Sequence, residues 1–234
     1  MRISLAGAAL LALCSAAAAG GRAGGEEEPG ASLSSADRSR LDRVAAAVTV
    51  RVVGSSCEGR VRGSGFVVDG ILYTNRHLVE GASTIAVASD SAAAGVAGVL
   101  ASVEARAVEL DIATVAVMPG PGLRFEPARL AAADAEVGDE VVLAGWVNGS
   151  LARRTAHVHL FADGAAYGTA RTVMLLEPAT TYGFSGGPVL NVDGQVVGIL
   201  SAVDLTTGLT VAIPVSELHH WRQNGKRQTA PTSC

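Results

Sequence analysis

Short aliphatic runs, each ended by a turn, recur along most of this chain and limit what it can fold into. They fall at 48–53, 65–68, 71–73, 84–88, 112–117, 140–144, 154–161, 172–176, 195–203 and 209–213. Asp69-Gly70 and the stretch Asn191 to Gly194 are turn sequences between such runs. Runs this short, rich in β-branched residues and separated by glycine turns, make strands of a sandwich or barrel. Aromatic residues are only 4% of the chain, so its core is built from Val, Leu, Ile and Ala. The strands fall into two groups, about 47–120 and 137–215, joined by a Pro/Ala-rich connection from Pro119 to Asp134. Two helices flank them. One runs from Ser35 to about Ala46 with Leu41, Val44 and Ala45 on one face, and one closes the domain over Val215 to Trp221.

The first residues are of another kind. Arg2 precedes an apolar run from Ile3 to Ala19 that ends in small residues, Ser15-Ala16-Ala17-Ala18-Ala19. This is the pattern of a secretory signal peptide over 1–20. Cys14 would suggest a lipoprotein instead, but Leu13 is bulky where such a site needs a small residue. Residues 21–34, rich in Gly, Glu and Ser, read as a flexible linker, which leaves 35–234 as the folded domain. No internal stretch is long and apolar enough for a spanning helix, so no stable membrane span is expected after signal cleavage. A net charge of −4 without a basic cluster in the sequence argues against nucleic acid as the main partner. Outside the signal only Cys57 and Cys234 remain, and in an oxidising compartment they are expected to pair as a disulfide.

The segment Gly183-Phe184-Ser185-Gly186-Gly187-Pro188-Val189-Leu190 carries the sharpest chemistry. A serine hydroxyl becomes a nucleophile only when a base takes its proton. Glycines around it allow a tight turn and let backbone N–H groups converge on an oxyanion. Taken alone, the segment is also compatible with a Gly-Ser turn that has no chemistry. One catalytic order, that of an α/β-hydrolase esterase, would add Asp204 and His219 or His220 after the serine. That order needs a helix after Ser185, whereas Pro188 lacks an N–H and a strand follows at 195–200. The other order has its histidine and carboxylate upstream. His77 lies in Thr74-Asn75-Arg76-His77 after a strand-turn-strand, and Asp111 precedes the apolar run 112–117, which predicts partial burial. A lone histidine at a strand end or an aspartate capping a turn is ordinary, but the three in this order are far more specific.

His77, Asp111 and Ser185 with their flanks resemble the trypsin-like, chymotrypsin-fold serine proteases, and most of all the bacterial secreted and periplasmic Deg-like branch. The similarity covers about 47–215, and the chain ends where a PDZ-like domain would follow. The resemblance implies two six-stranded antiparallel β-barrels with the site in the cleft between them. Ser185 would attack a peptide carbonyl, His77 would shuttle its proton and Asp111 would orient the imidazole. The N–H groups of Gly183 and Ser185 would form the oxyanion hole, and Ser201-Ala202-Val203 would pair with the substrate backbone. Ala179, Thr180 and Thr210 would line the pocket for the side chain at the cleavage site, which predicts a small or apolar residue there. Phe184 stands where the animal enzymes carry an aspartate that receives a new N-terminus, so that activation switch is not expected.

Other candidates are weaker. His157 and His159 share a strand face, but no third ligand is placed with them, and neither a metal nor a cofactor is expected. Trp146 and Trp221 are expected in the core, His219-His220 partly in solvent, and Arg153-Arg154 as a solvated pair. The sequence therefore points to a secreted serine endopeptidase acting on proteins or peptides. A silent or partner-activated binding protein of the same fold is the principal alternative.

Overall fold

The computed structural model describes residues 33–56, 58–89, 99–107, 109–117, 125–169, 171–224 and 227–228. The signal segment, most of the linker, Cys14, Cys57 and Cys234 lie outside the described residues.

Two antiparallel barrels make up the molecule. The first contains β1 (Thr49–Ser56), β2 (Gly59–Val68), β3 (Ile71–Thr74), β4 (Thr84–Ala88), β5 (Val99–Ala107) and β6 (Ala113–Val117). Its pairings run β5-β4-β1-β2-β3-β6, and β6 returns to β5. Asp69 and Gly70 both have positive φ, which gives the tight turn that sets the β2–β3 register. The second barrel is the closed ring of β7 (Glu140–Val147), β8 (Ser150–Asp163), β9 (Thr172–Glu177), β10 (Pro188–Leu190), β11 (Val196–Asp204) and β12 (Leu209–Pro214). A short β13 (Arg227–Gln228) adds to the outer edge of β5.

Each barrel has its own aliphatic interior. Val50, Val52, Leu72, Ile85 and Val115 fill the first, and Leu143, Met174, Leu176 and Val197 the second. A third cluster joins the barrels to each other and to the helices α1 (Ser35–Val48) and α2 (Val215–Asn224). Leu41 and Ala45 of α1 are fully buried, and a leucine so buried contributes roughly 1.5–3 kcal/mol. Trp221 of α2 meets Tyr73 edge-on at 6.4 Å, and Tyr73 stacks on Phe66 at 5.9 Å. The connection between the barrels is laced to both, through Ala128 N–H to the Val67 carbonyl and Ala131 N–H to the Val196 carbonyl.

Several details depart from the sequence expectations. β2 begins at Gly59 rather than at residue 65, and β5 lies where no strand is legible in the sequence. Leu33 and Ser34, at the end of the linker stretch, are held in place. The Leu33 N–H donates to the buried Glu140 carboxylate at 2.8 Å, and Ser34 caps α1. Arg153 and Arg154 are exposed, as expected, and each also has a partner. Arg153 meets Asp42 at 3.3 Å, and Arg154 donates to the Ala179 carbonyl. Among the described residues no helix is long and apolar enough to cross a membrane.

Candidate active site

Four elements deliver the candidate residues to the cleft. His77 sits in a single 3-10 turn (Arg76–Leu78) that follows β3. Asp111 lies just ahead of β6, which pairs with β3, so the two residues end up side by side. The carboxylate grips His77 twice, through the ring Nδ1 at 2.7 Å and the backbone N–H at 3.0 Å. A carboxylate only accepts, so Nδ1 carries the proton of this contact, and in the neutral ring that leaves the lone pair on Nε2. Asn75 is fully buried and ties its side-chain amide to the Asp111 carbonyl at 2.9 Å. Asp111 is 21% exposed against 45% for His77, so the acid is sheltered and the imidazole faces the cleft.

Ser185 stands in the turn before β10. A strand follows it, not a helix, which removes the α/β-hydrolase order. Asp204 and His219 correspondingly take other positions. Asp204 closes the β11–β12 turn, and His219 Nε2 bonds the Ala131 carbonyl at 2.8 Å. Side-chain hydrogen bonds from Thr207 and backbone bonds from Thr206 hold the Asp204 carboxyl below the usual carboxylate range.

The turn is shaped by glycines and by one residue of the other barrel. Gly186 has φ +83°, and a Cβ there would lie 2.1 Å from the Ser64 carbonyl oxygen. Gly183 has φ +104°, and a Cβ there would meet the Trp146 carbonyl at 2.4 Å. Ser64 of β2 is fully buried. Its N–H donates to the Ser185 carbonyl at 2.8 Å, and its hydroxyl donates to the Gly183 carbonyl at 2.8 Å while accepting from Trp146 N–H at 2.7 Å. Thr74 in turn donates to the Ser64 carbonyl at 2.7 Å. One serine thus joins the two barrels at the Ser185 turn, and its role is not legible in the motif around Ser185. The triplet Gly63-Ser64-Gly65 is the signal, since small residues on both sides mark a close approach of chains. Among the described residues the N–H groups of Gly183 and Ser185 donate to no protein acceptor, so both are free to receive an anion. Phe184 is buried in the second-barrel core, where a charged N-terminus has no acceptor.

Ser201 is the second residue whose part sequence reading missed. A bulge in β11 between Leu200 and Ala202 leaves it without a partner in β12. Its hydroxyl donates to Asp111 Oδ2 at 2.9 Å, and its carbonyl accepts the Ser185 hydroxyl at 3.1 Å. Ser185, Ser201, Asp111 and His77 therefore form one chain of hydrogen bonds. The Ser185 hydroxyl hydrogen bond among the described residues runs to the Ser201 carbonyl, not to the imidazole. Ala202 is exposed and Val203 half-buried beside it. Thr180 and Thr210 are buried and bonded to each other, Thr180 N–H to Thr210 Oγ1 at 2.7 Å, so neither side chain opens to solvent. Ala179 is half-buried. His157 and His159 are exposed on one face of β8, and His159 lies 3.9 Å from Glu177.

Known proteins resemble this chain in sequence and fold. The family model described as trypsin-like peptidase domain matches residues 63–199. A putative serine protease, HhoB of Synechocystis, is 32% identical over 171 residues, which is 69% of this chain and 39% of that protein. The mitochondrial serine protease HTRA2 of Bos taurus is 30% identical over 175 residues, 72% of this chain and 37% of that protein. The chain thus spans about two fifths of the length of these curated relatives. The active form of the Rv3671c protease from M. tuberculosis superposes with a TM-score of 0.71 over 88% of this chain and 93% of that one, at 23% identity, a likeness of fold. The family match covers more than half of the residues and spans the His77, Asp111 and Ser185 segments alike, and this chain belongs to the trypsin-like peptidases.

Proposed function

We propose that the protein is a secreted serine endopeptidase in which Ser185 is the nucleophile, His77 the general base and Asp111 the residue that orients it. The double grip of Asp111 on His77 is the observation that carries this reading, because it fixes the tautomer that leaves Nε2 basic. Ser185 Oγ attacks the scissile carbonyl carbon as His77 takes the hydroxyl proton. The carbonyl oxygen becomes an oxyanion facing the Gly183 and Ser185 N–H groups. His77 then gives its proton to the leaving amine, the acyl-enzyme remains, and water repeats the steps in reverse roles. Substrate backbone pairs with Ser201–Val203, and its side chain enters beside Ala179, between walls braced by Thr180 and Thr210. The signal pattern supports a location outside the cytoplasm, where the thiols of Cys57 and Cys234 would be able to pair. Intact mass with and without reductant tests the bridge.

One observation favours a second reading, a resting enzyme that a ligand switches on. The Ser185 hydroxyl is bonded to the Ser201 carbonyl, not to His77. A substrate strand pairing at Ser201 would compete for that carbonyl and release the hydroxyl.

The decisive experiment incubates the protein and its Ser185→Ala variant with a fluorophosphonate probe and with casein. Labelling and casein cleavage lost together in the variant are expected. Absence of labelling with and without peptide ligands removes the enzymatic reading.

A further inference from the structure

We infer that Arg60 and Arg62, on the free edge of β2 along which the leaving-group half of the substrate would lie, select acidic residues there. The inference rests on the peptidase reading above and adds a substrate class to it.

The edge is set by strand geometry. Ser64 turns its N–H and carbonyl away from β1, toward Ser185 and Thr74. Backbone groups two residues apart on a strand point the same way. Those of Arg62 and Arg60 therefore face the same side. β3 pairs with β2 only from Phe66 onward, so from Gly59 to Gly63 that side carries no strand. An unpaired edge thus runs outward from the residue bonded to Ser185. An extended peptide that lies along Ser201–Val203 on its acyl side must leave the nucleophile past this edge.

Side-chain charge follows the same alternation. Arg60 and Arg62 lie on the face of β2 that carries Ser64, and Arg51, directly opposite Ser64 on β1, adds a third guanidinium at 5.9 Å over the Trp146 ring. Arg60 and Arg62 are exposed, and among the described residues neither makes an ion pair or a side-chain hydrogen bond. Tyr182, 94% exposed one residue before Gly183, flanks the nucleophile turn. The linear sequence shows Arg60 and Arg62 as a lone pair, and pairing β1 with β2 brings Arg51 onto their face. In a chain of net charge −4, such a face beside the nucleophile suits carboxylate side chains in the residues that follow the scissile bond.

The test uses the full secreted chain and a degenerate dodecapeptide library, with pooled sequencing of the released C-terminal fragments. Asp and Glu are expected to be enriched over Lys and Arg by roughly three- to tenfold within the first four released residues, the range given by one or two exposed ion pairs. Arg60→Gln/Arg62→Gln should erase the enrichment and leave fluorophosphonate labelling unchanged. Equal release of acidic and basic fragments, or enrichment that survives in the double variant, overturns the inference. Fluorescence anisotropy of labelled Glu-rich and Lys-rich dodecapeptides with Ser185→Ala tests it without catalysis, so failure of the peptidase reading stays separate. Equal binding of the two peptides there overturns it. So does binding of a single-stranded oligonucleotide of equal charge as tightly as the acidic peptide, which would mark the face as a general polyanion site.

Discussion

Replacing Ser64 by alanine tests how the nucleophile turn is held. The hydroxyl is wholly buried and serves two partners, the Gly183 carbonyl at 2.8 Å and the Trp146 N–H at 2.7 Å. Alanine removes both bonds and leaves the Trp146 amide without an acceptor in a place water does not reach. A buried polar group so stranded costs about 1–3 kcal/mol. For a chain of this size each kcal/mol lowers Tm by about 2–4 °C, so a fall of about 2–12 °C is expected by thermal unfolding. The second effect is on rate. The Gly183–Phe184 peptide is held at its oxygen by Ser64 and at its nitrogen by a 3.4 Å bond to the Thr181 carbonyl. Release of the first allows the Gly183 N–H to drift from the oxyanion position. Outright loss of an oxyanion donor costs about 10²–10³ in kcat, and a donor that is loosened rather than lost should cost about 10–100-fold. KM should change little, and the affinity of a peptide aldehyde, which forms the same oxyanion, should fall in parallel with kcat. Thr74→Val is the control. It also removes a buried bond to Ser64 but leaves the Gly183 carbonyl held. If Thr74→Val and Ser64→Ala lower kcat equally, or Ser64→Ala raises KM alone, the positioning argument is wrong.

Other outcomes follow from the same geometry. Ser201→Ala removes a donor to the Asp111 carboxylate and should lower kcat about tenfold, with a stability loss near 1–2 kcal/mol by urea titration. Gly186→Ala places a methyl 2.1 Å from the Ser64 carbonyl oxygen at positive φ, and overpacking together with left-handed strain should cost about 3 kcal/mol or more, read as loss of folded protein in denaturant titration. Thr210→Val keeps the shape but strands the Thr180 N–H, so KM for small peptide esters should rise severalfold while fluorophosphonate labelling persists. Asp37 is held below the usual carboxylate range by its side-chain hydrogen bond from Ser34. The stability this contributes is present above the unfolded-state pKa and lost as pH falls through the lowered folded value. The stability difference between wild type and Ser34→Ala, followed by circular dichroism, should therefore shrink on acidification, and a gap that widened would contradict the assignment.

What could be read in the linear sequence was whatever depends on local chemistry. Asp69-Gly70 announced its turn because both positions take positive φ, and Phe66-Val67-Val68 its strand because those side chains line a core. Val99–Ala107 stayed hidden because its alanines and Glu104 have little strand preference of their own. Ladders to β4 and β6 hold it extended. The burial of Leu33 was hidden for the same kind of reason. Nothing beside it announces Glu140, which lies more than a hundred residues away and accepts its N–H.

The site divides along the same line. His77, Asp111 and Ser185 stand out together because their three segments follow one another in the order the proposed triad needs, although each alone is ordinary. Ser64 and Ser201 contribute through hydroxyls placed by strand geometry, one by alternation on β2 and the other by a bulge in β11. A serine in a strand has no distinctive spacing, so such residues become visible only when both barrels are present. The cleft belongs to neither barrel alone. His77 and Asp111 come from the first, Ser185 and Ser201 from the second, and the bonds from Ser64 to Gly183 and from Ser201 to Asp111 cross between them in opposite directions. A loss of registry between the barrels would therefore strain the oxyanion turn and the acid–imidazole pair together. Variants at the inter-barrel core, such as Leu190 or Ile199, should lower kcat before they lower the content of folded protein.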